Sequence, residues 1–278
     1  MKKFLTLISF PIALGTFGVL IWLENRRPLR ESIEPKLKRS ARNLTVAGLA
    51  AVALQLAEQP LARPLTKMVE RKNLGLLKIF KFPPLLETIL AVVLLDYTLY
   101  VWHVLTHKLP FLWRFHLVHH VDLDMDASTA LRFHFGELTI SALWRAVQIV
   151  VIGVSPVSFA AWQMFLFPAI LFHHSNVNLP VELEKRIGKF LVTPRLHGIH
   201  HSVVRGETDS NWSSGLTVWD WLHGTLKTDV PQNKIVIGVP AYQNPEEVKL
   251  TKILPLPFEK QKNDWQLSGG RETGKRLR

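Results

Sequence analysis

The sequence predicts an all-α fold, a multi-pass integral membrane protein, and three observations predict it. Hydrophobic residues make up 47% of the 278-residue chain and the mean hydropathy is +0.13, which leans toward a membrane protein over a soluble globule. Apolar runs of roughly twenty residues recur, the length of helix that crosses a bilayer's hydrocarbon core. Histidines recur at the spacing i, i+3, i+4, which is one face of a helix, and they do so where apolar runs end.

The first run, "FLTLISFPIALGTFGVLIWL" (residues 4–23), is uncharged throughout. Two lysines precede it, so a cleaved signal peptide competes; the length of the run and the lack of a small-x-small cleavage site favour a retained helix. The connector "ENRRPLRESIEPKLKRSARN" carries seven lysines and arginines. "LTVAGLAAVALQLAEQPLA" is a second, weaker spanning candidate. "RPLTKMVERKNLGLLKIFKF" is basic and amphipathic, suited to the membrane surface. "PPLLETILAVVLLDYTLYVWH" starts on prolines and runs apolar into His103, interrupted by Glu87 and Asp96.

Residues 108–138 are mixed and histidine-rich, a short segment at the membrane face. "LTISALWRAVQIVVIGVSPVSFAAWQMFLFPAILFHH" is broken near its middle by Gly153, Ser155 and Pro156. That pattern predicts a helical hairpin returning to the side from which it entered. It brings the histidine clusters to one face, and the positive-inside tendency makes that face cytoplasmic. Beyond His174 the chain turns polar, and the final "SGGRETGKRLR" reads as disordered.

The net charge is +12. The basic residues are scattered over connectors and tail, with no basic-aromatic stripe. They read as residues facing anionic lipid, with no nucleic-acid partner implied. Cysteine is absent, which excludes disulfides, thiolate metal sites and cysteine nucleophiles. Any metal must be held by imidazole, carboxylate or amide oxygen.

Twelve histidines are present, and the stretch from His103 to His223 holds them. "HVLTH" sets two imidazoles one turn apart, with Asp96 on the same stripe; "HLVHH" and "HGIHH" each set three on one face. Neutral imidazoles so arranged bind a metal without bending the backbone. Nitrogen-only ligation suits zinc, copper, iron or nickel. Zinc needs only four ligands, so a two-metal site fits the supply better. A redox pair beside a bilayer points to dioxygen chemistry on a lipid. The rival is a non-catalytic zinc-binding membrane protein or a metal transporter, although a transporter places its ligands at mid-membrane. A hydrolytic two-metal site would share carboxylates with histidine.

The elements "HVLTH", "FHLVHH", "RFHFGE", "FHHSNV", "RLHGIHHS" and "NWSSGLTVWDWLHGT", in this order over residues 95–226, resemble the fatty acid hydroxylase superfamily, also called the sterol desaturase family. The resemblance implies a membrane-bound non-haem di-iron oxidoreductase, a hydroxylase or desaturase. About four transmembrane helices would carry a cytosolic histidine-rich metal-binding helical cap. It implies two iron ions and O2 as co-substrate; with no dinucleotide fingerprint and no cysteine in the sequence, electrons are expected from an external donor of ferredoxin or cytochrome type, docking on the basic face. By that analogy His103, His107, His116, His119, His120, His174, His197, His200 and His201 are metal ligands.

His134 matches a family histidine usually followed by proline, where Phe135 stands here, and is expected at the catalytic site with Asp96, either as a ligand or as a group supporting one. Asp96 and Asp220 are expected to accept the outer N–H of ligating imidazoles. His173 and His223 receive no role. Glu87 and Glu137 open helices and suit the helix dipole. Trp212, Trp219 and Trp221 are either interface anchors or walls of an apolar pocket. Asn176 and Asn178 either orient ligands or cap the hairpin's end. Residues 1–82 are expected to form N-terminal membrane helices with basic connectors, residues 83–228 the catalytic domain, and residues 229–278 a polar, basic tail.

Overall fold

The computed structural model describes residues 2–265, with side chains from residue 11 onward; the terminal "SGGRETGKRLR" lies outside the described residues. Among the described residues the fold is all helical, and the only extended pairings are three isolated bridges.

Helix α1 (Lys2–Arg26) covers the first apolar run. Helix α2 (Lys36–Ala53) passes through a π-turn at Leu54–Glu58 directly into α3 (Gln59–Lys72). The basic amphipathic stretch is therefore a continuation of the second helix, not a separate surface element. Its Ala62, Thr66 and Val69 are buried where α3 packs on α7 and α8. A short helix, α4 (Leu76–Ile79), leads to α5 (Pro84–Lys108). Next come α6 (Pro110–His120), α7 (Phe135–Ile152) and α8 (Pro156–His174). Among the described residues, four stretches are long and apolar enough to cross a membrane: Lys36–Ile79, α5, α7 and α8.

The helix starts follow local chemistry. Proline stands in the first turn of α5, α6 and α8, where its fixed φ fits and its missing N–H costs nothing. Ser155 caps α8 by accepting from the Ser158 N–H. Between α7 and α8 the chain turns at Gly153, whose φ of +88° favours glycine. Gly75 (φ +97°) lies against that turn so closely that a Cβ there would stand 2.4 Å from the Gly153 Cα.

Large apolar side chains face outward along the helices. On α7, Leu143, Val147 and Val151 form an exposed stripe at four-residue spacing. Inside, Leu95, Ile149, Phe159 and Trp162 pack together with Ala62 and Val69. The hairpin returns as its break predicts. His134 at the start of α7 and His174 at the end of α8 both abut the eleven-residue α6, through Phe115 and His119 respectively.

Four short helices follow: α9 (Val181–Ile187), α10 (Pro194–His200), α11 (Arg205–Thr208) and α12 (Val218–Leu222). Residues 229–265, with α13 (Leu250–Ile253), fold back on α6. There Trp113 donates to Asp264 at 2.6 Å, and Val239, Val248 and Ile253 pack against Leu117 and Val118.

Candidate metal centre

Four segments converge at the end of the bundle: the last turns of α5, α6 and α8, and all of α10. Nine histidines form two adjoining groups. His103, His107, His116, His120 and His200 make one; His119, His174, His197 and His201 make the other. Within each group the ligand atoms lie within 4.8 Å of one another. The groups share a wall, since His120 and His201 stack at 4.4 Å between ring centroids. All nine sequence-derived ligand candidates are in these groups.

The spacing explains the arrangement. Helix α6 turns His116 and His120 toward one group and His119 toward the other. Helix α10, started by Thr193 capping the Leu196 N–H and by Pro194, sends His200 to the first group and His197 to the second, with His201 just past its end. H-x-x-H-H is therefore a divider: consecutive ligands on one helix end serve neighbouring sites.

The outer nitrogens of several rings are committed. The Nδ1–H of His103 donates to the Trp212 carbonyl at 2.7 Å and that of His200 to the Ser210 carbonyl at 2.8 Å. His174 donates to the Ile170 carbonyl at 2.9 Å, and His116 Nδ1 pairs with Glu137 Oε1 at 2.9 Å. Such bonds fix the tautomer and leave Nε2 as a bare donor for a metal. The Nε2 atoms of His107, His116 and His200, and both nitrogens of His120, are buried without a hydrogen-bond partner among the described residues.

In the second group, Nε2 of His174 stands 3.0 Å from both His119 Nε2 and His197 Nε2, and the last is 3.2 Å from His201 Nε2. One hydrogen on His197 would have to serve two neighbours, so this string is poorly closed by hydrogen bonds. A cation at its centre accepts all four lone pairs. Nitrogens bound at about 2.1 Å to one ion stand about 3.0–3.4 Å apart. The donor set therefore fits a metal in each group.

Burial, followed by the repulsion of neighbouring imidazoles, holds His119, His120, His197 and His201 well below the ordinary histidine range. Burial first pushes His200 down to about 3. These rings are neutral at physiological pH, the form that binds metal.

The two residues expected at the catalytic site have other partners. His134 belongs to neither group: its Nδ1 accepts from the Gly136 N–H as the cap of α7, and its Nε2–H donates to the Leu254 carbonyl at 3.1 Å. It positions the helix that presents Glu137. Asp96 touches no imidazole. Its Oδ2 accepts from the Leu216 N–H at 3.0 Å and the Trp219 indole at 2.7 Å.

Asp220 likewise binds backbone, accepting from the Trp212 and Ser213 N–H groups at 2.9 Å each. It thereby sets the turn whose Trp212 carbonyl receives the His103 proton. The expectation of direct carboxylate–imidazole contacts fails for both aspartates because backbone carbonyls already occupy the acceptor positions.

Glu137, read from sequence as a dipole partner, is the carboxylate that meets a ligand candidate. Its place three residues after the cap His134 is the signal that was available. His173 is buried beside His197, with ring centroids 4.1 Å apart, but belongs to neither group. His223 is exposed and stacks on Tyr100 at 5.0 Å. Asn176 ties down Arg30, and Asn178 accepts from Arg195.

A second device was invisible in sequence. In "VDLDMDAST", directly after His120, Asp122 accepts from Arg39 and Asn43 at 2.9 Å each, and Asp126 pairs with Arg39. Burial raises the Asp122 carboxyl, but Arg39, Arg132 and Arg42 outweigh burial and hold it below the usual carboxylate range.

A profile of the fatty acid hydroxylase family matches residues 88–225. The chain is 29% identical over 163 residues to an ornithine lipid hydroxylase of Rhizobium tropici, covering 57% of this chain and 47% of that protein. It is 30% identical over 147 residues to human alkylglycerol monooxygenase, covering 52% and 31% respectively. Against human cholesterol 25-hydroxylase it is 29% identical over 141 residues, half of each chain. The matched region spans half or less of the length of each relative. No solved structure matches the chain. The profile match ends just beyond α12 and contains every residue of both histidine groups, so through residues 88–225 the chain belongs to the fatty acid hydroxylase family.

Proposed function

We propose that this protein is a membrane-bound oxidoreductase that uses two iron ions and O2 to oxidise a C–H bond in a lipid, sterol or related apolar substrate. The observation that carries this reading is the pair of adjoining all-histidine cages at the end of an apolar helical bundle. Three named relatives that act on lipids or sterols support the substrate class.

On this reading the five-histidine and four-histidine groups each hold one iron. When bound, the iron pair supplies a dioxygen-derived oxidant able to attack an unactivated aliphatic C–H bond. The chain's own part is to hold the ligands neutral, fix their tautomers and keep water away. Trp212, buried against His107, closes one side of the first group. Hydroxylation and desaturation share the oxidant and differ in how the substrate sits.

The rest of the chain fits that role. The metal face is cytoplasmic by the positive-inside tendency. Residues 83–228 act as the catalytic domain, residues 1–82 as its membrane anchor, and residues 229–265 brace α6. Electrons come from an external donor of ferredoxin or cytochrome type, because no cysteine or dinucleotide fingerprint supplies one internally.

Two measurements test the proposal. Metal analysis of the purified protein is expected to give about two irons per chain. A single redox-silent zinc would instead support the zinc-binding scaffold. Lipid extracts with and without the active protein, compared by mass spectrometry, are expected to differ by a product one oxygen heavier or two hydrogens lighter. No lipid difference in an iron-loaded, electron-supplied system would end the enzymatic reading.

A further inference from the structure

Helix α5 has 25 residues, about 37 Å of axis at 1.5 Å per residue. A hydrocarbon core about 30 Å thick takes about 20 of them. Counted from Pro84, the core ends near His103; counted from Thr88, it ends near His107. Asp96 is at the middle of the helix, so it lies inside the core, about 10–16 Å below that boundary. Yet Asp96 is what the polar segment "SSGLTVWDWL" holds onto. The Leu216 N–H and the Trp219 indole both donate to it, and Gly215 passes so close that a Cβ would stand 2.4 Å from its Oδ1.

That segment is thus carried down with Asp96. Its backbone is satisfied for the depth: the Val192 N–H donates to the Gly215 carbonyl and the Thr217 N–H to the Phe190 carbonyl, each at 3.1 Å. Irregular backbone is tolerated at membrane depth only where protein covers its polar groups. The outer surface here is apolar and uncovered. Phe190 is 71% exposed, Trp221 71% and Leu222 59%. Just before it in the chain, Lys185, Arg186 and Lys189 are exposed, the residue types that face anionic headgroups at a membrane surface.

We propose that residues 190–192 and 214–222 form a collar sunk into the phospholipid leaflet on the metal side. Phe190, Trp221 and Leu222 lie among acyl chains, and the neighbouring basic residues face anionic headgroups. The proposal rests on the reading of the long helices as membrane spans and is independent of the reaction catalysed.

The absence of cysteine makes the test clean. Phe190→Cys, Trp221→Cys and Leu222→Cys are each spin-labelled in the full-length protein, reconstituted in vesicles of mixed zwitterionic and anionic phospholipid. Leu143→Cys, on the outer stripe of α7, is the lipid reference, and Glu246→Cys, exposed beside α13, is the aqueous one. The three collar labels are expected to relax faster with oxygen than with a water-soluble nickel chelate, as Leu143→Cys does. Chelate access equal to that at Glu246→Cys, with Leu143→Cys still protected, would overturn the collar alone. Chelate access at Leu143→Cys as well would overturn the membrane reading with it.

Discussion

A buried imidazole is costly unless something uses its lone pair, and five nitrogens of the first histidine group have no hydrogen-bond partner among the described residues. Because each residue serves one group, the two cages are separable by mutation. His200→Ala and His197→Ala are each expected to lower iron content from about two per chain to about one, measured by elemental analysis of folded protein. Glu137→Gln keeps the shape but weakens the acceptor for His116. It is expected to weaken metal affinity about 10–100-fold in chelator competition, with little change in helix content. Acidity probes the same residues in metal-stripped protein. His200 titrates at about 3 in the fold against 6.5 when exposed. Between those values the unfolded chain takes up a proton that the native chain refuses. Stability is therefore full above pH 6.5 and is lost as pH falls. Each such histidine steepens the loss by about 1.4 kcal/mol per pH unit. A thermal midpoint that rises on acidification from pH 7 to 5 would contradict this account.

Among the elements, α6 divides the ligands of its last turn between the two groups. Arg39 and Arg42 on α2 reach the aspartates that follow α6, so the N-terminal helices are bound to the metal-bearing turn by buried charge. Asp122→Ala strips partners from three buried arginines and is expected to cost about 3–5 kcal/mol in detergent-solubilised unfolding. The far end of the bundle depends on shape instead. Gly75→Ala would drive a Cβ into the Gly153 backbone at a positive φ, and a loss of more than about 1 kcal/mol is expected. Metal content should survive Gly75→Ala better than Asp122→Ala, because only the second site adjoins the ligands. The element boundaries around these sites were legible: prolines, Ser155 and Gly153 mark them in the sequence. The continuity of α2 with α3 was not, since a basic amphipathic pattern does not reveal whether a protein surface or a lipid surface covers its apolar side.

At the scale of the whole molecule, the proposed function gives the excess of positive charge a use: on that reading a basic metal face would speed encounter with an acidic external donor by long-range attraction. Turnover with a reconstituted donor is expected to fall as ionic strength rises, and a flat salt profile would remove steering from the account. The sequence by itself determined the helical class, the apolar spans, the hairpin and all nine histidines of the two groups, because each follows from local periodicity or residue chemistry along one segment. Only the tertiary structure decided how those histidines divide, five and four, since that depends on which helix ends face one another. It also decided what supports them. Asp96 and Asp220 carry the right chemistry in sequence, but the carbonyls of Trp212 and Ser210 reach the imidazoles first, and a backbone carbonyl has no identity that a sequence can display.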